Sequence, residues 1–304
     1  MSKSVLMTGS NGFIGRACIK VFEQHEMSDL TLLNRTFNQK HEYFQIISDL
    51  ETLSDETINI NVDIAIHLAG LAHKSNQLLE KYRDVNTSAT LKLARVLACK
   101  GMKRFIFVSS IGVNGSSTKA PFNEQSVPDP HSDYALSKYE AEEGLKILAQ
   151  ELDFELIIVR PTLVYSSDAP GNFGALVRLV TKLPFLPFGR TKNLRSFISV
   201  DNLANFLFVC TTHSKAAGET FLISDGEDVS TKEFINSISE GLGCKLIQLP
   251  IPINIMRFVA KFLGKGKLVE QLFDDLQVDS SKARNLLGWN PPETLTQAMK
   301  KLRK

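Results

Sequence analysis

The sequence predicts an α/β fold: a doubly wound parallel sheet with a smaller, mainly helical C-terminal substrate lobe. Three observations predict it. Short apolar runs without inner alternation recur through the first half, as in strands buried on both faces. Longer segments of helical period separate them. A glycine-rich turn, Thr8-Gly9-Ser10-Asn11-Gly12-Phe13-Ile14-Gly15, directly follows the first run. Together these describe a Rossmann-type sheet.

In chain order, Val5 to Thr8 reads as a strand, Phe13 to Gln24 as a helix and Leu30 to Leu33 as a second strand. Ile64 to Ala69 and Phe105 to Val108 are further buried strands. A long helical pattern, Leu78 to Lys100, lies between them and stops at Gly101. Asp133 to Ala149 is another helix and Leu156 to Val159 another strand. After Arg160-Pro161 the rhythm breaks at Pro161, Pro170, Pro184 and Pro187. Phe197 to Val200 and Thr220 to Ile223 read as strands with a helix between them. Helices then follow at Thr231 to Gly241, Ile253 to Leu263 and Ser280 to Leu287. We therefore expect a Rossmann domain over residues 1–160, with later segments near 196–225 returning to it. The smaller lobe is expected to take residues 161–195 and 226–304.

The composition sets bounds on function. With 43 % hydrophobic and 22 % charged residues among 304, the chain is globular. Its net charge of +2 gives no electrostatic reason to expect nucleic acid or an anionic membrane as partner. No apolar stretch approaches the roughly 20 residues of a membrane span. The N-terminus leads straight into a strand pattern, so a cytoplasmic protein is expected. Cys18, Cys99, Cys210 and Cys244 are far apart, form no C-x-x-C and predict neither a metal site nor a disulfide framework.

The glycine turn carries the first chemistry. Three glycines in register leave backbone N–H groups free to approach a pyrophosphate, and the helix start adds its partial positive charge. Gly15 lets the helix pack close to the strand. At the end of the second strand, Leu33 is followed by Asn34, Arg35 and Thr36, with no carboxylate to bind ribose hydroxyls. Arg35 offers a bidentate partner for a 2′-phosphate, so NADP(H) is preferred and NAD(H) stays possible. Asp49 is placed to accept a hydrogen bond from the adenine amino group.

Tyr134 and Lys138 stand at i and i+4 on one helix face. A nearby ammonium favours the phenolate and lowers a tyrosine pKa from near 10, which suits proton transfer at a sugar alcohol. Ser109 and Ser110 end a strand just upstream, where catalytic groups of an open α/β sheet belong. His67 reads as a satisfied core histidine rather than a base, and His73 and Lys74 as residues bordering the cofactor.

These residues resemble the extended short-chain dehydrogenase/reductase family of nucleotide-sugar epimerases, dehydratases and reductases. The family pattern T-G-x-x-G-F-I-G is met by Thr8 to Gly15, and H-L-A-A by His67-Leu68-Ala69-Gly70. The Val-Asn pair is Val85-Asn86, S-S-x-x-V-Y-G is Ser109 to Gly115, and Y-x-x-x-K is Tyr134 and Lys138. R-P-x-x-V-Y is Arg160 to Tyr165, the later Arg-Asp segment is Arg195 to Ala204, and L-G-W-x-P is Leu287 to Pro291. The resemblance implies Ser110, Tyr134 and Lys138 as catalytic residues. It implies cofactor contacts from Gly9, Asn11, Gly12, Phe13, Ile14, Gly15, Asn34, Arg35, Asp49, Leu50, Leu68, Ala69, Gly70, Asn86, Ser109, Tyr134, Lys138 and Pro161. Ser110, Asn172 and Arg195 are implied on the substrate, the last two at the diphosphate.

Two departures narrow the reaction. The family's dehydratases carry Asp-Glu directly after the catalytic hydroxyl. Ile111 and Gly112 stand there, and neither transfers a proton. Asn114 replaces the tyrosine of V-Y-G, with no assigned effect. Two reactions remain, 4-keto reduction and 4-epimerisation. The blocks Ser109 to Gly115, Leu222 to Thr231 and Leu276 to Arg284 resemble bacterial O-antigen enzymes of the family. With Arg35, this resemblance implies a reductase, expected to reduce the C4 keto group of a UDP-4-keto-6-deoxy-N-acetylhexosamine in cell-surface polysaccharide synthesis. A UDP-hexose or UDP-N-acetylhexosamine 4-epimerase is the alternative, and a non-catalytic NADPH sensor a minor one. A homodimer is expected through the helices at 78–100 and 133–149.

Overall fold

A computed structural model describes residues 3–27, 29–54, 56–72, 78–262 and 272–303. The core is a seven-stranded parallel sheet. Its strands are β1 (Val5–Thr8), β2 (Leu30–Asn34), β3 (Phe44–Ile47), β4 (Ile64–His67), β5 (Arg104–Val108), β6 (Glu155–Pro161) and β10 (Thr220–Ile223). The spatial order is β10-β6-β5-β4-β1-β2-β3. The order reverses between β1 and β4, where a doubly wound sheet opens a crevice at its carboxyl edge.

β1, β2, β4 and β5 are buried at every position, so their sequences are apolar without alternation. On one face α1 (Phe13–Gln24) packs against α6 (Val200–Thr212). On the other, α2 (Leu79–Tyr82) runs through a π-helical turn, Arg83–Ser88, into α3 (Ala89–Cys99). That long helix packs against α4 (Asp133–Leu152). The π-turn interrupts the expected Leu78–Lys100 helix and carries Asn86, which is buried. Such single π turns frequently mark functional sites.

Within residues 196–225, α6 packs on the main sheet and β10 pairs in it. β9 (Arg195–Ser199) forms a separate three-stranded sheet with β7 (Leu163–Tyr165) and β11 (Asp228–Val229). The smaller lobe adds α5 (Gly171–Lys182), β8 (Phe185–Leu186), α7 (Thr231–Leu242), β12 (Ile247–Gln248) and α8 (Ile253–Phe262). α9 (Ser281–Leu287) and α10 (Leu295–Lys300) complete the chain. A second core, built on Tyr165, Phe173, Phe197 and Phe234, holds this lobe together. Phe197 and Phe234 stack with centroids 3.7 Å apart.

Candidate active site

The glycine turn packs on the exit of β4. Gly9 has φ of 70°, and a Cβ there would lie 2.8 Å from the Ala69 amide nitrogen. A Cβ on Gly15 would lie 2.4 Å from the Gly9 carbonyl oxygen and 2.5 Å from Ser10 Cα. The third glycine thus fits α1 against the turn itself, a closer contact than the expected helix-to-strand one. α1 starts after Gly12 with no side-chain cap, which leaves its first N–H groups without an intrahelical partner. This cradle, closed by any added Cβ, fits a dinucleotide pyrophosphate. Phe13, Ile14 and Leu68 are half-buried against the sheet core, and Leu50 is buried in the opposite layer.

At the end of β2, Asn34 is buried and exchanges hydrogen bonds with the Ser10 hydroxyl at 2.7 and 3.0 Å. Its amide is engaged by the glycine turn. Asn11 donates to the Thr36 carbonyl at 3.1 Å and accepts from Asn38 at 2.7 Å. Arg35 is exposed and makes no ion pair among the described residues. Asp49 accepts from the Glu51 amide at 3.1 Å, closing its own turn.

A second constellation forms where β5 ends. Ser110 accepts from the Gly112 amide at 3.1 Å, which caps a short 3-10 turn, Ile111–Val113. That turn packs on the start of α4: a Cβ at Gly112 would meet both the Ala135 Cβ and the Ser110 hydroxyl at 3.4 Å. α4 begins with Ser132 accepting from the Ala135 amide at 3.1 Å, and this sets the rotation of Tyr134 and Lys138. The Ser110 hydroxyl acts on the Tyr134 phenol. The Lys138 ammonium donates to the Val108 carbonyl at 2.9 Å and sits 4.4 Å from the centre of the Phe107 ring. Asn86 accepts from the Leu71 amide at 2.7 Å and donates to Ser137 at 3.0 Å. It thereby ties the π-turn to α4 and to the loop after Gly70.

The electrostatics differ from expectation at Tyr134. Burial pushes its phenol up to about 12, against the hydrogen bond from Ser110, which lowers it. The expected depression of this phenol by Lys138 is not found. Burial instead lowers Lys138 to about 8, partly offset by the nearby Glu142 carboxylate. His67 is wholly buried, with its ring nitrogens 2.8 Å from the Thr8 and Thr90 hydroxyls. Burial, reinforced by Lys138, lowers its pKa to about 3. It is therefore neutral at ordinary pH, as a core histidine should be.

Sequence reasoning missed the support behind the serines. Ser109, expected at the nicotinamide, donates to Glu142 at 2.5 Å. Glu142 receives Arg160 at 2.5 Å, and both side chains are almost fully buried. Arg160 also donates to Asn114 at 3.0 Å, which gives Asn114 a role: it shares this buried cation. The available signal was the i, i+4 spacing of Lys138 and Glu142, which puts both on the inner face of α4. Beside Asn114 opens a cavity of about 520 Å³, walled also by Phe122, Pro128 and His131. Pro161 ends β6 in register with Ile223 of β10.

The two substrate candidates stand on the smaller lobe. Asn172 is exposed in the first turn of α5. Arg195 opens β9 and donates to the Asp274 carbonyl at 2.8 Å. Burial lowers its guanidinium to about 10, opposed by Asp274 and Asp275. His73 and Lys74 lie outside the described residues. Among the described residues, no helix is long and apolar enough to cross a membrane.

Similarity to known proteins agrees with this geometry. Residues 5–224 match the model of the NAD dependent epimerase/dehydratase family. A UDP-glucose 4-epimerase of Vibrio cholerae is 39 % identical over 309 residues, covering 99 % of this chain and 94 % of the relative. A dTDP-4-dehydro-6-deoxyglucose reductase of Escherichia coli is 26 % identical over 318 residues, covering 98 % and 96 %. The crystal structure of a UDP-glucuronic acid 4-epimerase from Bacillus cereus in complex with NAD has a TM-score of 0.80 at 18 % identity, covering 99 % of this chain and 97 % of that one. The matched span runs from the glycine turn through the Ser110, Tyr134 and Lys138 cluster to the last strand of the main sheet. The chain therefore belongs to the NAD dependent epimerase/dehydratase family of extended short-chain dehydrogenase/reductases.

Proposed function

We propose that the protein is a UDP-hexose 4-epimerase, the second of the two reactions that the sequence left open. The observation that carries this reading is the 39 % identity to a UDP-glucose 4-epimerase across 99 % of the chain. A bound nicotinamide dinucleotide supplies a hydride acceptor and donor at C4 of the sugar. Gly9, Gly12 and the start of α1 hold its pyrophosphate, and Lys138 and Asn86 border its nicotinamide ribose. Tyr134 takes the proton of the C4 hydroxyl as the C–H bond is oxidised, and gives it back when the opposite face is reduced. Ser110 hydrogen-bonds the same oxygen and holds it in line with the phenol. Arg195 and Asn172 hold the diphosphate from the smaller lobe. Ile111 and Gly112 offer no acid or base for dehydration. Incubation with UDP-galactose and with UDP-N-acetylgalactosamine tests the reading: conversion to the gluco epimers is expected, and its absence for both overturns it.

One observation favours a reductase instead. Arg35 is exposed at the end of β2, where no carboxylate would repel a 2′-phosphate. On either reading we assign it to cofactor choice, with NADP(H) preferred. Arg35→Ala should weaken NADPH binding more than tenfold, from about 1.5–3 kcal/mol of charge-assisted hydrogen bonding, and leave NADH unchanged. Equal affinities that the substitution does not alter remove the assignment. We also propose a homodimer that pairs α3 and α4 across a two-fold axis, where Ile147 of α4 is exposed. Sedimentation velocity distinguishes it from a monomer.

A further inference from the structure

The net charge of +2 conceals a local excess. Between Glu240 and Glu270 the chain carries Lys245, Arg257, Lys261, Lys265 and Lys267 and no acidic residue. The last two lie outside the described residues. Several apolar side chains among the described residues of this stretch are exposed. α8 packs Ile253 and Met256 on the lobe core. Its other side presents Ile255, Phe258 and Phe262, spaced by three and four residues and 54 %, 74 % and 86 % exposed. That spacing puts the three on one stripe of the helix. Just before it, Ile247 of β12 pairs in register with Phe185 of β8, and both are exposed. Leu249, also exposed, is bonded through its amide to Leu186 of the same strand. Arg257 is held by Asp274 at 2.7 Å, which leaves Lys245 and Lys261 exposed beside the apolar stripe.

We propose that this face docks the protein peripherally on an anionic lipid bilayer, with α8 lying in the plane of the interface. Aromatic and aliphatic side chains on one stripe of a helix that carries lysine and no carboxylate of its own are the chemistry of an interfacial helix. Charge complementarity favours anionic lipid over a second copy of this chain, because two copies would bring two cationic faces together. The site stays within reach of the sugar diphosphate. Arg257 and Arg195 share Asp274, one through its carboxylate and one through its carbonyl.

Vesicle sedimentation tests this with the full chain. Wild type should sediment with phosphatidylglycerol-containing vesicles and stay in solution with phosphatidylcholine alone. Raising salt from about 0.05 to about 0.5 M should weaken the binding, because it screens exposed charge. Phe258→Ser with Phe262→Ser should reduce binding at least about tenfold. Both side chains are exposed, so thermal midpoint and nicotinamide binding should match wild type. Lys245→Glu with Lys261→Glu should reduce binding to anionic vesicles likewise. Wild type remaining in solution with anionic vesicles at low salt overturns the proposal. So does undiminished binding by the Phe258→Ser, Phe262→Ser protein. A dimer that the same substitutions dissolve, without vesicle binding by wild type, assigns the face to self-association and also overturns it.

Discussion

At Tyr134 the structure sets a chemical problem and shows its parts. A phenol held near pKa 12 by burial is a poor base at neutral pH, so on the proposed mechanism Tyr134 relies on Ser110, whose hydrogen bonding lowers that value. Tyr134→Phe removes the proton carrier and should lower turnover about 10²–10⁴-fold while retaining cofactor binding. Ser110→Ala should cost less, because one hydrogen bond is lost and the phenol remains. Full turnover by the Tyr134→Phe protein would remove the catalytic assignment. Lys138 gives a second test, through stability. Its folded pKa of about 8 lies below the ordinary 10.5 of a lysine because burial penalises the charge, so the buried ammonium disfavours folding at pH 7. Between pH 8 and 10.5 the unfolded chain binds the extra proton, and stability rises with pH through that window. Lys138→Met should therefore be more stable than wild type at pH 7, by about 1–2 kcal/mol after the lost bond to Val108. That advantage should shrink as pH rises from 8 towards 10.5. Urea melts at a series of pH values measure it, and a gap that does not change with pH contradicts the burial account.

The element scale shows why some parts of the fold were legible and others were not. β1, β2, β4, β5 and β6 are buried parallel strands, and continuous apolar runs announce them. β3 gives no such run, because it is an edge strand with exposed and half-buried positions. β7, β8, β11 and β12 have two or three residues each; pairing partners far along the chain define them, and no local period does. The π-turn at Arg83–Ser88 has no sequence signature, since buried Asn86 is fixed by Leu71 and Ser137 from other elements. In the candidate site the glycines and the Tyr134–Lys138 pair were visible from spacing. The Glu142–Arg160 pair behind Ser109 was not, because it joins α4 to β6. The glycine turn carries a prediction at this scale. A Cβ at Gly15 would enter the backbone of Gly9 and Ser10, which cannot rotate away as a flexible side chain would. Gly15→Ala should destabilise the protein by about 1–3 kcal/mol and weaken dinucleotide binding. A melting temperature equal to wild type would contradict the close packing of α1 on the turn.

Over the whole molecule, the chain crosses more than once between its two cores. β6 and β10 pair in the main sheet, while β7 and β9, which lie between them in sequence, build the smaller lobe. The linker between the lobes is therefore not one hinge but several crossings. The buried bonds of Asp225 to Tyr165 and Asn202 brace the region where β10 leaves the sheet. On the proposed function, the sugar would be held between the glycine turn and the lobe that carries Arg195 and Asn172. The central claim is that hydride leaves C4 and returns to C4 of the same sugar. Incubation with UDP-galactose deuterated at C4, followed by NMR of the product, tests it most directly. The account predicts UDP-glucose that retains deuterium at C4, with no net change in nicotinamide absorbance. Absence of epimer, with one nicotinamide oxidised for each 4-keto sugar reduced, would contradict it and establish the reductase.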